Sequence, residues 1–498
     1  MSSPNTRVSR VATDFSRLRL SGERVNERDA PTIAPINRIP TELLSEVMLY
    51  AAARDVVAFR TQGALAFEML LTHVCQHWRV VAHETPGLWS HIVISLIGCE
   101  ASVKHLEHYL SHARSTPLKI DVDFRIQYPP QFRIYQQLIA PAMHALVQHI
   151  DHWSDVGFIL GLGPQLADII IHLGTQFDAP RLTRLDMVVE DPERLPAPWR
   201  LACTTPALRT IMLENIPLDW QTAVGSFFHS LEDVNITFTE GSSLSLTELR
   251  TLLRRCRSLR TLHLVSFDPP EEDLDDYDPA DVIVLPQLTV MVLGDIESDA
   301  LQCMLEIFHF PALQQLNLAL ETPRPTGDSF NGPVRLLSTR RVQVQNLSLT
   351  GIDCGIQELR ALLVNLTTLT GLYMVLDEAH SDMCECLSPG PHEAMPMPAP
   401  QLESLTLRTA RPSRRWEPFQ ILSKALQHRS ARQSGLHKLV VDTLAQKAVE
   451  TLELRRWVEE IEYRNLEHRH ISDRSPSVLS EDVSASASAS ASASEVEE

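Results

Sequence analysis

At 498 residues the chain exceeds what one compact core serves, so several domains or a repeat array are expected. Its net charge of −19, with no Lys/Arg run of the nucleic-acid or anionic-lipid kind, argues against DNA, RNA or a membrane surface as primary partners. No stretch approaches the roughly 20 apolar residues of a membrane helix, and eight cysteines without framework spacing read as reduced thiols of cytosol or nucleus.

Taken in chain order, residues 1–34 are polar and aperiodic, lack the apolar core of a secretory signal, and are expected to form a disordered arm. Residues 35–92 turn helical. Pro40 opens a run in which Leu43, Leu44, Val47, Met48 and Ala51 share one side, and proline suits a first helical position because its missing N–H costs nothing there. A second helix is expected through Leu71, Val74, Cys75, Trp78, Val81 and Ala82, an apolar stripe more than ~100° wide. Pro86-Gly87 ends it, and Leu88-Trp89 leads into the first strand of the next domain.

Three blocks in this stretch resemble the F-box family. Ile39-Pro40-Thr41-Glu42-Leu43-Leu44-Ser45-Glu46-Val47 is similar to the family's opening Leu-Pro-x-Glu-(Leu/Val)-Leu, and Val74-Cys75-Gln76-His77-Trp78-Arg79 to its Val-Cys-(basic)-x-Trp-(basic) core. Thr85-Pro86-Gly87-Leu88-Trp89 is similar to its closing Pro-x-Leu-Trp, and Gln76 and His77 are departures from the basic residues after the Cys. The spacing and the tail that follows resemble F-box proteins of mushroom-forming fungi. The resemblance implies a small all-α F-box that docks a Skp-type adaptor, and through it a cullin–RING ubiquitin ligase. It implies Pro40, Leu43, Leu44 and Val47 as the first adaptor contact and Val74, Cys75 and Trp78 as the second. The plainer alternative makes these residues the N-terminal cap of the following repeats.

Residues 93–465 are expected to form an irregular α/β leucine-rich-repeat-like solenoid. The pattern apolar-x-x-apolar-x-apolar recurs with first positions at Trp89, Pro117, Trp153, Leu182, Leu208, Leu231, Leu259, Leu288, Leu313, Val344, Leu369, Leu402 and Leu436. The bare pattern is cheap, with about 42 chance matches expected. A proline two places ahead of the first Leu, at Pro180, Pro206, Pro286, Pro311 and Pro400, is more telling and suits strand entry. Helical stretches such as Leu246–Cys256, with Leu249, Leu252 and Leu253 on one side, fall between. The asparagine of regular leucine-rich repeats is mostly missing, so the turns are expected to lack a shared hydrogen-bond ladder.

Other constellations favour no chemistry. His105, His108 and His112 have a zinc-compatible spacing, yet Val103, Leu106 and Leu110 take the opposite face, which leaves the histidines on the solvent side of a helix. His73 and His77 read the same way. Cys384 and Cys386 with His380 and His392 lack a C-x₂-C pair and read as unbound thiols. Gly327-Asp328-Ser329-Phe330 resembles a nucleophile block of one esterase superfamily, without an arranged His, so a hydrolase using Ser329 is the enzyme rival. No phosphate or dinucleotide motif occurs, and the expectation is a non-enzyme with no metal and no cofactor. An acidic insert (Asp268, Glu271, Glu272, Asp273, Asp275, Asp276, Asp278, Asp281) is a solvated loop or a docking strip for a basic substrate. Residues 466–498, rich in Ser and Ala and acidic, are expected to be disordered. The reading is therefore α/β, a small all-α F-box and a solenoid, acting as a ligase substrate receptor; a ligase-independent scaffold is the alternative.

Overall fold

A computed structural model of the chain describes residues 38–59, 67–95, 103–125, 129–173, 176–191, 198–200, 202–226, 230–238, 244–270, 282–319, 330–340, 342–352, 354–376, 383–388, 396–409, 417–432 and 434–464. They fall into two compact units, one ending at Leu88 and the other beginning at Trp89. Among the described residues no helix is long and apolar enough to cross a membrane. The expected terminal arm and acidic tail lie outside the described residues.

The first unit is helical. Helix α1 (Thr41–Phe59) begins where the Pro40 carbonyl accepts from Leu44 N at 3.0 Å, so Pro40 precedes the helix as its cap and does not occupy its first turn. Leu44 and Met48, one turn apart, are buried. The single helix expected from Leu71 to Ala82 is two, α2 (Phe67–Val74) and α3 (Gln76–His83). The chain breaks at Cys75, which is extended (φ −159°, ψ 172°) and whose Sγ accepts from Trp78 N at 3.5 Å. That break leaves the last carbonyls of α2 without helical partners. Arg79 Nε donates to one of them, Thr72 O, at 2.8 Å. Thr85 Oγ1 donates to Val81 O at 2.7 Å and closes α3 in the same way. Gly87 follows, where a Cβ would approach Leu49 Cδ2 to 3.0 Å, so a larger residue there displaces the end of that side chain.

The second unit is α/β and solenoid-like. Its sheet has fourteen strands: β1 (His91–Ser95), β2 (Leu118–Phe124), β3 (Trp153–Leu162), β4 (Arg184–Asp191), β5 (Thr210–Glu214), β6 (Asp233–Thr237), β7 (Thr261–Val265), β8 (Val290–Gly294), β9 (Gln315–Ala319), β10 (Asn346–Thr350), β11 (Gly371–Leu376), β12 (Ser404–Thr409), β13 (Leu436–Asp442) and β14 (Val458–Arg464). Their order in space is their order in the chain, and every neighbouring pair is parallel. Parallel neighbours require crossovers. Helices supply most of them: α4 (Val103–Ala113), α5 (Pro129–Val147), α6 (Gly163–Leu173), α7 (Trp220–Ser226), α8 (Leu246–Arg255), α9 (Ser298–Ile307), α10 (Asn331–Thr339), α11 (Ile356–Asn365), α12 (Glu417–Ala431) and α13 (Gln446–Thr451). Between β11 and β12 a 3₁₀ turn, Met383–Leu387, stands in for the helix.

Alternation along each strand divides the sheet into a core face and an open face. On the core face one buried row runs in register through Ile92, Ile120, Val156, Leu185, Ile211, Val234, Leu262, Met291, Leu316, Leu347, Leu372, Leu405 and Leu439. Fully burying such a side chain contributes about 1.5–3 kcal/mol, and each buries against the next turn, so the turns stack.

The first apolar residue of the repeating pattern sits two places ahead of most strands, as Leu313 does before Gln315. The prolines therefore lie in turns ahead of the strand and not at strand entry. Leu182 N donates to Ala179 O at 3.1 Å, Leu208 N to Thr205 O at 3.1 Å and Leu402 N to Ala399 O at 3.1 Å, which puts Pro180, Pro206 and Pro400 second in a four-residue turn. Proline is favoured there because its ring fixes the φ that the position requires. Neighbouring turns are tied by shared acceptors. Arg260 O takes both Thr289 N (2.9 Å) and Val290 N (3.0 Å), and the same pairing recurs at Thr183, Arg209, Glu232, Thr289, Gln314, Gln345, Thr370 and Glu403.

At the other strand ends the expected loss of a ladder is made good over the run from β5 to β9. Asn215, Ser266 and Asp295 adopt φ of 59°, 55° and 48°. Their amides donate to Thr237 O, Gly294 O and Ala319 O at 3.0, 2.8 and 2.8 Å. Over that run the main chain links neighbouring turns, and the Asn215 side chain adds a bond from Nδ2 to Val189 O at 2.6 Å. Helix α8 follows the sequence expectation, with Leu249, Leu252 and Leu253 buried and a Ser245–Glu248 capping box at its start.

Candidate functional site

On α1 the residues at helical spacing divide between two environments. Leu44 and Met48 are buried, whereas Leu43, Val47 and Tyr50 are 58%, 56% and 63% exposed. Positions 43, 47 and 50 are one face of a helix, so α1 presents an apolar stripe to solvent. Leu70 and Val74, four apart on α2, are 40% and 58% exposed and repeat the arrangement. Soluble surfaces carry single exposed apolar side chains without consequence, but stripes on two helices of one small unit make a candidate contact surface.

Of the sequence-derived contact residues, Pro40, Leu43, Val47 and Val74 are exposed. Leu44 is fully buried and supports the surface from beneath instead of forming it. Cys75 is half-buried and serves as the cap of α3. Trp78 is half-buried, and its indole Nε1 is buried with no acceptor among the described residues. Tyr50 and Leu70 were not singled out from sequence, although their spacing from Leu43 and Val74 carried the signal.

The open sheet face forms a second surface. Across β1–β4 it is charged: His91 Nε2 lies 2.7 Å from Asp121 Oδ2, Lys119 Nζ 3.7 Å from Asp155, and Arg184 Nη2 2.6 Å from Asp186. Burial pushes the Asp186 carboxyl above its usual range, with the Arg184 guanidinium pulling the other way and Asp155 and Asp121 adding to the rise. Farther along the sheet, His263, Val292 and Asn317 occupy the same row but are buried. Burial drives the His263 imidazole down to about 4, the nearby Asp233 opposing, and its Nε2 has no hydrogen-bond partner among the described residues.

The remaining constellations are described only in part. His105 is exposed as expected, but His108 and His112 are half-buried, each ring centroid 5.1 Å from that of Trp89, so they pack on an aromatic instead of lining the solvent side. His73 and His77 lie on α2 and α3 and do not share a helix. Cys384 and Cys386 are buried in the 3₁₀ turn, and burial holds the Cys386 thiol well above its ordinary value. Their suggested partners His380 and His392 lie outside the described residues, as do Ser329 and the acidic positions Glu271 to Asp281; Asp268 is described and exposed.

Comparison with known proteins adds little to this geometry. No family model matches the sequence, and no curated protein matches it. Among solved structures, the chain is similar to one chain of the yeast Rad7 and Elc1 complex, at 14% identity over 82% of this chain and 93% of that one, with a TM-score of 0.31. A likeness at that level assigns neither family nor function.

Proposed function

We propose that this protein is the substrate-recognition subunit of a cullin–RING (SCF-type) ubiquitin ligase, its helical unit docking a Skp-type adaptor and its solenoid binding a protein substrate. The observation that supports this reading best is the exposure of Leu43, Val47 and Val74, apolar residues at the positions where the F-box resemblance implies adaptor contact. A cap that served its own chain alone would have no use for that surface. The protein acts in this reading without catalysis, metal or cofactor of its own. A ligase-independent scaffold remains the rival, and adaptor capture separates the two.

Burying the exposed half of one such side chain contributes roughly 1 kcal/mol. Replacing both Leu43 and Val47 with Asp therefore removes about 2 kcal/mol, and the introduced charges add to the loss. The expected result is adaptor binding at least about 30-fold weaker, measured with purified partners, while circular dichroism stays unchanged. Equal adaptor affinity for wild type and the double variant refutes the assignment.

A further inference from the structure

The strand-entry turns of β4–β7 carry a charge opposite to that of the chain. Arg181 is exposed in the turn before β4, and Arg209 is half-exposed before β5. Arg254, Arg255, Arg257 and Arg260 are all exposed between the end of α8 and β7. Against these six arginines, among the described residues, stand Glu232 in the turns, Asp178 just before the first turn and Asp233 at the start of β6, in a chain whose net charge is −19. Two of the six lie in the last turn of α8, where cations favour the helix dipole. Arg257 directly follows the cap of that helix, and Arg181, Arg209 and Arg260 lie away from any helix end, so the dipole does not account for those three. Arg209 and Arg260 share one carboxylate, Glu232, 3.6 Å from Arg209 Nε and 3.7 Å from Arg260 Nε, while Arg181 Nη1 donates to Ser115 O and Arg209 Nη1 to Pro206 O and Leu208 O, neutral acceptors that leave the charge in place.

The turns are fixed relative to one another. Thr183 O accepts from Arg209 N and Thr210 N, Arg209 O from Glu232 N and Asp233 N, and Glu232 O from Arg260 N and Thr261 N, all at 2.7–3.0 Å. We propose that this arginine rim, the entry turns of β4 to β7, docks a short Asp/Glu-rich segment of a protein partner. Guanidinium forks match carboxylates with paired donors. Three strand steps of about 4.8 Å make a rim of about 14 Å, which four or five extended residues span. A long polyanion is a poorer occupant, because it would run on over Asp121, Asp123, Asp155 and Asp186 of the neighbouring open face. This surface lies in the second unit and stands whether or not the helical unit docks an adaptor.

The test is fluorescence anisotropy of a labelled peptide of about six glutamates with the whole chain, without adaptor, at about 50 mM salt. The combined variant Arg254→Gln, Arg255→Gln, Arg257→Gln and Arg260→Gln is expected to bind about tenfold more weakly. Glu232→Gln releases Arg209 and Arg260 from their shared carboxylate and is expected to bind several-fold more tightly, a gain that misfolding does not produce. No binding by wild type, equal affinity of the quadruple variant, or unchanged affinity of Glu232→Gln overturns the proposal. Tighter binding of a phosphoserine peptide or of a single-stranded RNA of equal length overturns the carboxylate assignment.

Discussion

His263 makes the stability of the solenoid depend on pH in a way that one substitution removes. Its imidazole has an ordinary value of 6.5 when the chain is unfolded and is lowered by burial to about 4 when folded. Above the higher value both states are neutral and stability is complete. As pH falls between the two values, the unfolded chain takes up a proton that the folded chain refuses, so stability declines. Each tenfold step in proton affinity is worth about 1.4 kcal/mol, which gives about 3 kcal/mol in full and about 2 kcal/mol by about pH 5. The assay is urea unfolding of wild type and His263→Gln at about pH 7 and about pH 5, followed by far-ultraviolet circular dichroism. All other histidines are common to both proteins, so the difference of differences isolates this one. Wild type is expected to lose about 2 kcal/mol more than the variant. Equal losses refute the claim that the folded chain holds His263 neutral.

Two further substitutions probe the packing. Leu44→Ala is expected to destabilise the helical unit by about 2–5 kcal/mol, because Leu44 is fully buried, whereas Leu43→Ala changes thermal stability by less than about 0.5 kcal/mol and acts on partner binding alone. Arg429 on α12 is fully buried, and its guanidinium donates to Pro398 O at 2.6 Å and Ala399 O at 2.8 Å. Arg429→Met leaves Pro398 O without a donor and Ala399 O with Leu402 N alone, so a loss of stability of about 1–3 kcal/mol is expected from urea unfolding; unchanged stability would show that water takes over the Pro398 acceptor.

The core rows were legible in the sequence because a period of two survives every insertion between repeats. Leu313, Leu316 and Leu318 could be aligned with Leu288, Met291 and Leu293 by pattern alone, and Leu316 and Leu318 pair with Met291 and Leu293 in that register. The break at Cys75 was not legible, since the stripe from Leu71 to Ala82 keeps helical spacing across it and cysteine is an uncommon cap. Strand β14 was hidden by its composition. Val458–Arg464 reads as charges with few apolar residues, a composition that protects an exposed sheet edge from pairing with another chain. The arginine rim was invisible for another reason: Arg181, Arg209 and Arg260 lie far apart in sequence, and register alone brings their turns to one edge. The split of α1 into buried Leu44 and exposed Leu43 needed the packing of α2 and α3, which periodicity does not specify.

The identity of chain order and spatial order in the sheet bears on how such a molecule can change over generations. A strand, its crossover and its entry turn form a segment of about 28 residues whose contacts reach one place up and one place down. Unequal exchange that duplicates or deletes a whole segment meets the same apolar rows and the same shared carbonyls on either side, so lineages can lengthen or shorten the stack without rethreading it. A duplication between β4 and β7 would lengthen the arginine rim by one step, whereas one beyond β8 would leave it untouched. Partner selection and molecular length can therefore drift separately.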